Sequence, residues 1–200
     1  IPSGNFGNAY SAWFGRSHGL KINQIMCTTN VNDVLKRFID SGILEPQTTK
    51  PSVAPSMDIQ IPSSLERLIY DFESDASSFY EDLNENKKGT LSEGSRDKLQ
   101  HIFSSQTFDD EKIKEEIKTF NDLFSIVFDP HTVTSLRMAI DINSSVPTVA
   151  VATASPEKFS NVISPLIDDF PGSDIDQDED FETLEPQKDQ IIESIKAKFS

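Results

Sequence analysis

Along this chain, apolar residues recur with helical spacing in some stretches and cluster in short two-sided runs in others. Gln24–Thr29 (Gln-Ile-Met-Cys-Thr-Thr) and Val149–Thr153 are runs of the second kind. Such runs suit strands buried on both faces of a parallel sheet. Asn8–His18 suits a helix that stops at Gly19. Val31, Val34, Leu35, Phe38 and Ile39 mark the next helix, which Asn30 or Asn32 is placed to cap and Gly42 to end. Pro46, Pro51, Pro55 and Pro62 make residues 45–62 a long loop, and loops of that length are usually functional or disordered. A strong stripe follows at Leu65, Leu68, Ile69, Phe72, Ala76, Phe79, Tyr80 and Leu83. Residues 84–94 read as a polar turn region with Gly89 and Gly94, and helices follow over about 95–105 and 110–125. The second of these carries Ile113, Ile117, Phe120 and Phe124 on one face. In Asp129-Pro130-His131-Thr132 the aspartate caps a helix and the proline occupies its first turn. A helix from Pro156 and another near 188–199 complete the pattern, which is that of an α/β protein with a parallel sheet.

Charge narrows the choice of partners. The 200 residues carry 18 basic and 33 acidic side chains, a net charge of −15. Residues 1–50 balance at +2 and the remainder at −17. Nucleic acid is an unsuitable partner for such a chain, because binding it needs a basic face. Anionic membrane surfaces are disfavoured for the same reason. No apolar run approaches the roughly 20 residues of a membrane helix. The single cysteine, Cys27, cannot form an internal disulfide, and the expected location is the cytoplasm. The acidic run from Asp174 to Glu185 has two readings. Alternate carboxylates can converge on calcium, but the loop glycine is absent and Phe181 interrupts the run. A solvated acidic linker is the better reading.

The chemistry concentrates at Ser3-Gly4-Asn5-Phe6-Gly7-Asn8, which follows a strand end and opens a helix. Glycines at 4 and 7 permit positive φ and close backbone approach. Unpaired N–H groups at the helix start point toward one spot, which makes an anion site suited to phosphate. An ordinary strand-to-helix turn has the same outline. Elsewhere the candidates are modest. His18 suits a helix C-terminus, His101 a polar surface, and His131 either a helix start or a pocket wall. The three histidines are too dispersed for a zinc site. Cys27, inside an apolar strand, reads as an inert buried thiol.

The segment IPSGNFGN resembles the phosphate-binding loop of the threonine synthases, pyridoxal phosphate enzymes of the tryptophan-synthase-β class. Four further segments resemble that family in the same order: Thr28-Thr29-Asn30-Val31-Asn32-Asp33; Pro55-Ser56-Met57-Asp58-Ile59 with Glu66-Arg67-Leu68; Asp129-Pro130-His131-Thr132; and Ala152-Thr153-Ala154-Ser155-Pro156-Glu157-Lys158-Phe159. Together they span roughly residues 1–160, and the tail from about 165 matches no such motif.

The resemblance implies a fold type II enzyme with a three-layer, parallel-sheet large domain and added helices. Residues 1–165 would be the carboxyl-terminal part of its catalytic domain, with a helical section over about 64–127. Residues 166–200 would be an acidic linker and a terminal helix. It implies pyridoxal 5'-phosphate as cofactor, held at its phosphate by Gly4, Asn5, Phe6 and Gly7 and faced at its ring nitrogen by Thr153. It also implies a carbon–oxygen lyase that turns O-phosphohomoserine and water into threonine and phosphate, as a monomer or homodimer. The resemblance places the lysine that binds the cofactor covalently upstream of the phosphate loop; Lys21, Lys36 and Lys50 match no lysine motif, and no catalytic residue is expected within this chain. Three departures leave room for a related phospho-lyase with another product or for a non-catalytic anion-binding relative. Asn8 replaces the family's aspartate, Ser155 its histidine, and Val133-Thr134-Ser135 its Ala-Val-Gly.

Overall fold

A computed structural model describes residues 1–170 and 187–199. Nine helices, two 3-10 turns and four strands occur among them. Helix α1 (Gly7–Ser17) is followed by β1 (Ile25–Thr29), α2 (Val34–Ser41) and β2 (Ile43–Leu44). Next come α3 (Leu65–Glu73), α4 (Ser77–Asn86), β3 (Gly89–Thr90), α5 (Glu93–Ile102) and β4 (Phe103–Thr107). The order ends with α6 (Asp110–Phe124), α7 (Thr132–Asp141), α8 (Ser160–Ile163) and α9 (Lys188–Phe199). The expected acidic linker, Asp174–Glu185, lies outside the described residues.

The central sheet, β1 with β4, is parallel, in keeping with the two-sided apolar run of β1, and β2 and β3 form a separate two-residue antiparallel pair. β1 pairs with β4 from Ile25 opposite Phe103 to Thr29 opposite Thr107, and Pro2 makes a parallel bridge to Thr28. Alternate residues of a strand face opposite sides. Accordingly, Ile25 and Cys27 enter a core built with α1 to α5, whereas Met26 packs against a second core built with α6, α7 and α8. The sheet is thus the middle of three layers. Phe38, Leu35 and Ile39 of α2 fill the first core, and Ile113, Ile117 and Phe120 of α6 fill the second. Each triplet has the i, i+3/i+4 spacing that puts one helix face inward.

Five expectations from the sequence need correction. The stripe over 65–83 is two helices, because Ser74 turns left-handed (φ 62°) and ends α3, and the Asp75 carboxylate then accepts the Ser77 N–H at 2.9 Å. Gly94, read as part of a turn, lies inside α5, whose start is capped by Ser92. Residues 103–105, read as helical, belong to β4, where Phe103 alone is fully buried and the rest, Ser-Ser-Gln-Thr, shows no apolar alternation. Neither Asn30 nor Asn32 caps α2, which begins after Asp33 without a side-chain cap. Both asparagines instead hold the proline-rich loop. Asn30 Nδ2 donates to Asp58 Oδ1 at 2.6 Å, and Asn32 Nδ2 donates to Asp58 Oδ1 at 3.0 Å and to the Lys50 carbonyl at 2.8 Å.

Val149–Thr153 is not a strand. A strand exists only with a neighbour to share its ladder, and this segment has none among the described residues. Val149 is 80% exposed. Side chains of α7 hold the segment instead: Ser135 Oγ donates to the Val151 carbonyl at 3.4 Å, and Thr132 Oγ1 accepts the Thr153 N–H at 3.3 Å.

Candidate functional site

The glycine turn sits at the carboxyl end of β1. Ser3 N–H donates to the Thr28 carbonyl at 2.9 Å, and the chain then leaves the sheet for α1. That edge is where open α/β sheets place their ligands. The turn's one left-handed residue is Phe6 (φ 70°), whereas Gly4 and Gly7 both have negative φ. Such a conformation costs a non-glycine residue about 1–3 kcal/mol and persists only where packing enforces it. Here the enforcement is visible: Phe6 is 1% exposed and its ring lies 5.5 Å from that of Phe103 in the first core. What Phe6 offers the site is therefore main chain, not its ring.

The left-handed turn leaves the start of α1 uncapped. The first N–H to find a helical acceptor is that of Tyr10, bonded to the Phe6 carbonyl at 2.9 Å. The N–H groups of Gly7, Asn8 and Ala9 have no acceptor among the described residues. Helix starts satisfy such groups with a cap, water or a ligand. The Asn5 side chain is engaged elsewhere: its Oδ1 accepts the Ser63 N–H at 3.3 Å, and its carbonyl accepts the Ser64 N–H at 3.0 Å. Gly4 is required by packing, since a Cβ there would overlap the Ser56 carbonyl oxygen.

These groups open on a cavity of about 260 Å³. Besides residues 2–8, its walls are Ser56, Met57, His131, Thr153 and Ala154. The structure thus brings Gly4, Asn5, Phe6, Gly7 and Thr153 to one cavity, although Thr153 arrives on an unpaired segment. Ser56 and Met57, which lie in a family-like segment but carry no site chemistry of their own, are further wall residues, and His131 takes the pocket-wall place that is one of its two readings. His131 is 2% exposed, with Nδ1 2.8 Å from Asp129 Oδ1 and Nε2 3.1 Å from the Ser56 nitrogen. A backbone N–H can only donate, so Nε2 accepts and the ring proton sits on Nδ1, toward Asp129. Burial pushes the Asp129 carboxyl up, but hydrogen bonds from His131 and Thr132 outweigh it and hold it below its ordinary value of 3.8.

The remaining candidates fall away from this cavity. His18 caps α1, its Nδ1 2.8 Å from the Phe14 carbonyl. His101 is exposed on α5. Cys27 is fully buried, and burial pushes its thiol up. Ser155 is exposed and its hydroxyl bonds the Glu157 carboxylate. No group of histidine, cysteine, aspartate and glutamate suited to a metal ion occurs among the described residues, and no described helix is long and apolar enough to cross a membrane.

Helices on both faces of a parallel sheet, with a glycine turn and unpaired amides at its carboxyl edge, define a three-layer α/β segment with an uncapped helix start at that edge. No family model matches the chain. Over most of its length, however, the chain matches the threonine synthases. It is 34% identical over 169 residues to threonine synthase of Pseudomonas aeruginosa, covering 82% of this chain and 36% of that protein. With threonine synthase of Saccharomyces cerevisiae it shares 26% identity over 201 residues, 89% of this chain and 39% of that protein. Among solved structures, pyridoxal-phosphate-bound threonine synthase of Brucella melitensis superposes with a TM-score of 0.77 at 30% identity, over 82% of this chain and 36% of that one. The chain therefore spans between a third and two fifths of the length of these relatives.

Proposed function

We propose that this chain is the part of a threonine synthase that holds the phosphate and faces the ring nitrogen of pyridoxal phosphate. The carrying observation is the uncapped start of α1, where the amides of Gly7, Asn8 and Ala9 have no acceptor among the described residues and Gly7 and Asn8 line the cavity that Thr153 also lines. A phosphate fits that cradle chemically. Unpaired donors at the positive end of α1 suit an anion, and no acidic side chain lines the cavity to oppose it. At the other end, the Thr153 hydroxyl is neutral and can hydrogen-bond a ring nitrogen without stabilising a full positive charge on it. When bound, the cofactor supplies an electron sink for a carbanion beside the substrate's amino group. The chain's own residues bind the phosphate, orient the ring and tune its electron demand.

On this reading the whole enzyme converts O-phosphohomoserine and water to threonine and phosphate. Ser155 favours a second product as an alternative, because its hydroxyl is turned to Glu157 and no imidazole stands there. Product analysis on O-phosphohomoserine separates the two. Threonine is expected; a keto acid without threonine would favour the alternative.

The cofactor reading is tested by the absorbance spectrum of the longer parent protein before and after borohydride, with mapping of the labelled lysine. A visible band abolished by borohydride and mapped to a lysine outside this chain supports it. No band, with added cofactor failing to bind, overturns it. The cradle alone is weak: an anion at a helix start gains about 0.3–2 kcal/mol, whereas micromolar affinity needs about 8 kcal/mol. The chain by itself is accordingly expected to be inactive and to bind pyridoxal phosphate more weakly than micromolar in a fluorescence titration.

A further inference from the structure

The two ends of the cavity are far apart in sequence, yet they are tied to one carboxylate. Asp129 Oδ1 accepts the His131 N–H at 2.9 Å, the His131 ring Nδ1–H at 2.8 Å and the Thr132 N–H at 3.3 Å. Its Oδ2 accepts the Thr132 hydroxyl. Both arms continue. His131 Nε2 accepts the Ser56 N–H at 3.1 Å, and the Ser56 carbonyl oxygen occupies the space beside Gly4 where any side chain would clash. Thr132 Oγ1 accepts the Thr153 N–H at 3.3 Å. Asp129, His131 and Thr132 are all buried, so the hub of the two arms is shielded from bulk solvent, while Ser56 and Thr153 at their outer ends are exposed.

We infer that Asp129 is a positioning residue that sets the separation between the glycine turn and Thr153, through His131 on one side and Thr132 on the other. The inference rests on the proposed cofactor reading, in which those two places hold the two ends of one rigid molecule. A rigid ligand gains most from a site already spaced to receive it. A carboxylate suits the task because it has acceptor capacity on both oxygens and no donor to misplace. An amide would offer one acceptor oxygen to four donors and turn its NH₂ on whichever partner is left.

The test uses the full-length parent protein with added pyridoxal phosphate and reads each end separately. The ³¹P resonance of the bound cofactor reports the turn, and its visible absorption maximum reports the ring nitrogen. His131→Phe removes the acceptor for Ser56; it should move the ³¹P resonance and weaken cofactor binding about tenfold, leaving the absorption maximum in place. Thr132→Val should do the reverse, shifting the maximum and sparing the ³¹P resonance, and Thr132→Ser should restore the maximum. Asp129→Asn should move both. If His131→Phe fails to fold, the Thr132→Val and Thr132→Ser pair decides alone. Equal loss of cofactor in every variant, with both signals unmoved in the molecules still loaded, overturns the positioning role. A wild-type protein that binds no cofactor overturns the underlying reading as well, and that result is seen before any variant is made.

Discussion

The glycine turn and the Thr153 segment face each other across one cavity but are built in opposite ways. The turn is held by its own neighbourhood: the Phe6 ring is sunk in the first core, Ser3 is bonded to β1, and α1 follows at once. The Thr153 segment has no sheet partner among the described residues and an almost bare Val149 beside it. Its position comes from α7, through Thr132 and Ser135. One wall is therefore a product of hydrophobic packing, and the other is a product of polar bonds radiating from Asp129. Substitutions should expose that difference, with packing changes costing global stability and polar changes costing alignment.

The largest effect is expected at Phe6. Phe6→Ala should lower unfolding free energy by about 3–5 kcal/mol, the usual cost of emptying an aromatic core position. Denaturant unfolding checks this, and a loss under 1 kcal/mol would mean the ring does not anchor the turn. Next comes Asp129. Asp129→Ala should cost about 3 kcal/mol, as for a buried charged acceptor whose donors are left unpaired. Because the folded carboxyl lies below its ordinary 3.8, its contribution is complete above that value and is lost as pH falls through the lower folded value. Wild-type stability should therefore drop more steeply than the variant's below pH 3.8, as a pH series of melting curves would show.

A smaller effect is expected at Gly4. Gly4→Ala must push the Ser56 carbonyl aside, at about 1–3 kcal/mol, the typical cost of overpacking. It should also weaken phosphate-end binding in the parent protein, measured by cofactor titration. The smallest is at Thr153. Thr153→Val leaves an exposed position apolar and should change stability by no more than about 0.5 kcal/mol. The same variant should shift the absorption maximum of the loaded parent protein. A large melting shift there would make Thr153 part of the scaffold rather than of the site wall.

Much of the packing half was legible in the sequence. The stripe of α2, the face of α6 and the ends at Gly19 and Gly42 follow from local periodicity and turn chemistry, whereas α7 starts at Thr132, with Pro130 in the turn before it and the Asp129 carboxylate accepting the Thr132 N–H. β4 was not legible, because Phe103 is its one apolar residue and the strand is defined by its pairing with β1. The break at Ser74 was hidden because the apolar spacing runs on through it; only a left-handed serine marks the end of α3. At the site, the turn was readable from its glycines, but the conformational strain falls on Phe6 between them. The wall made by Ser56 and His131 depends on residues 75 positions apart, and no local signal encodes that meeting.

The lone thiol at the heart of the sheet gives this molecule a built-in clock. Cys27 is fully buried opposite Ser105, and burial keeps it in its unreactive protonated form. A thiol reagent can meet it only in molecules whose packing around β1 has opened. The labelling rate, set against that of a free cysteine, therefore counts those openings directly. No probe has to be introduced for this measurement, and it reports the strand from which the glycine turn departs.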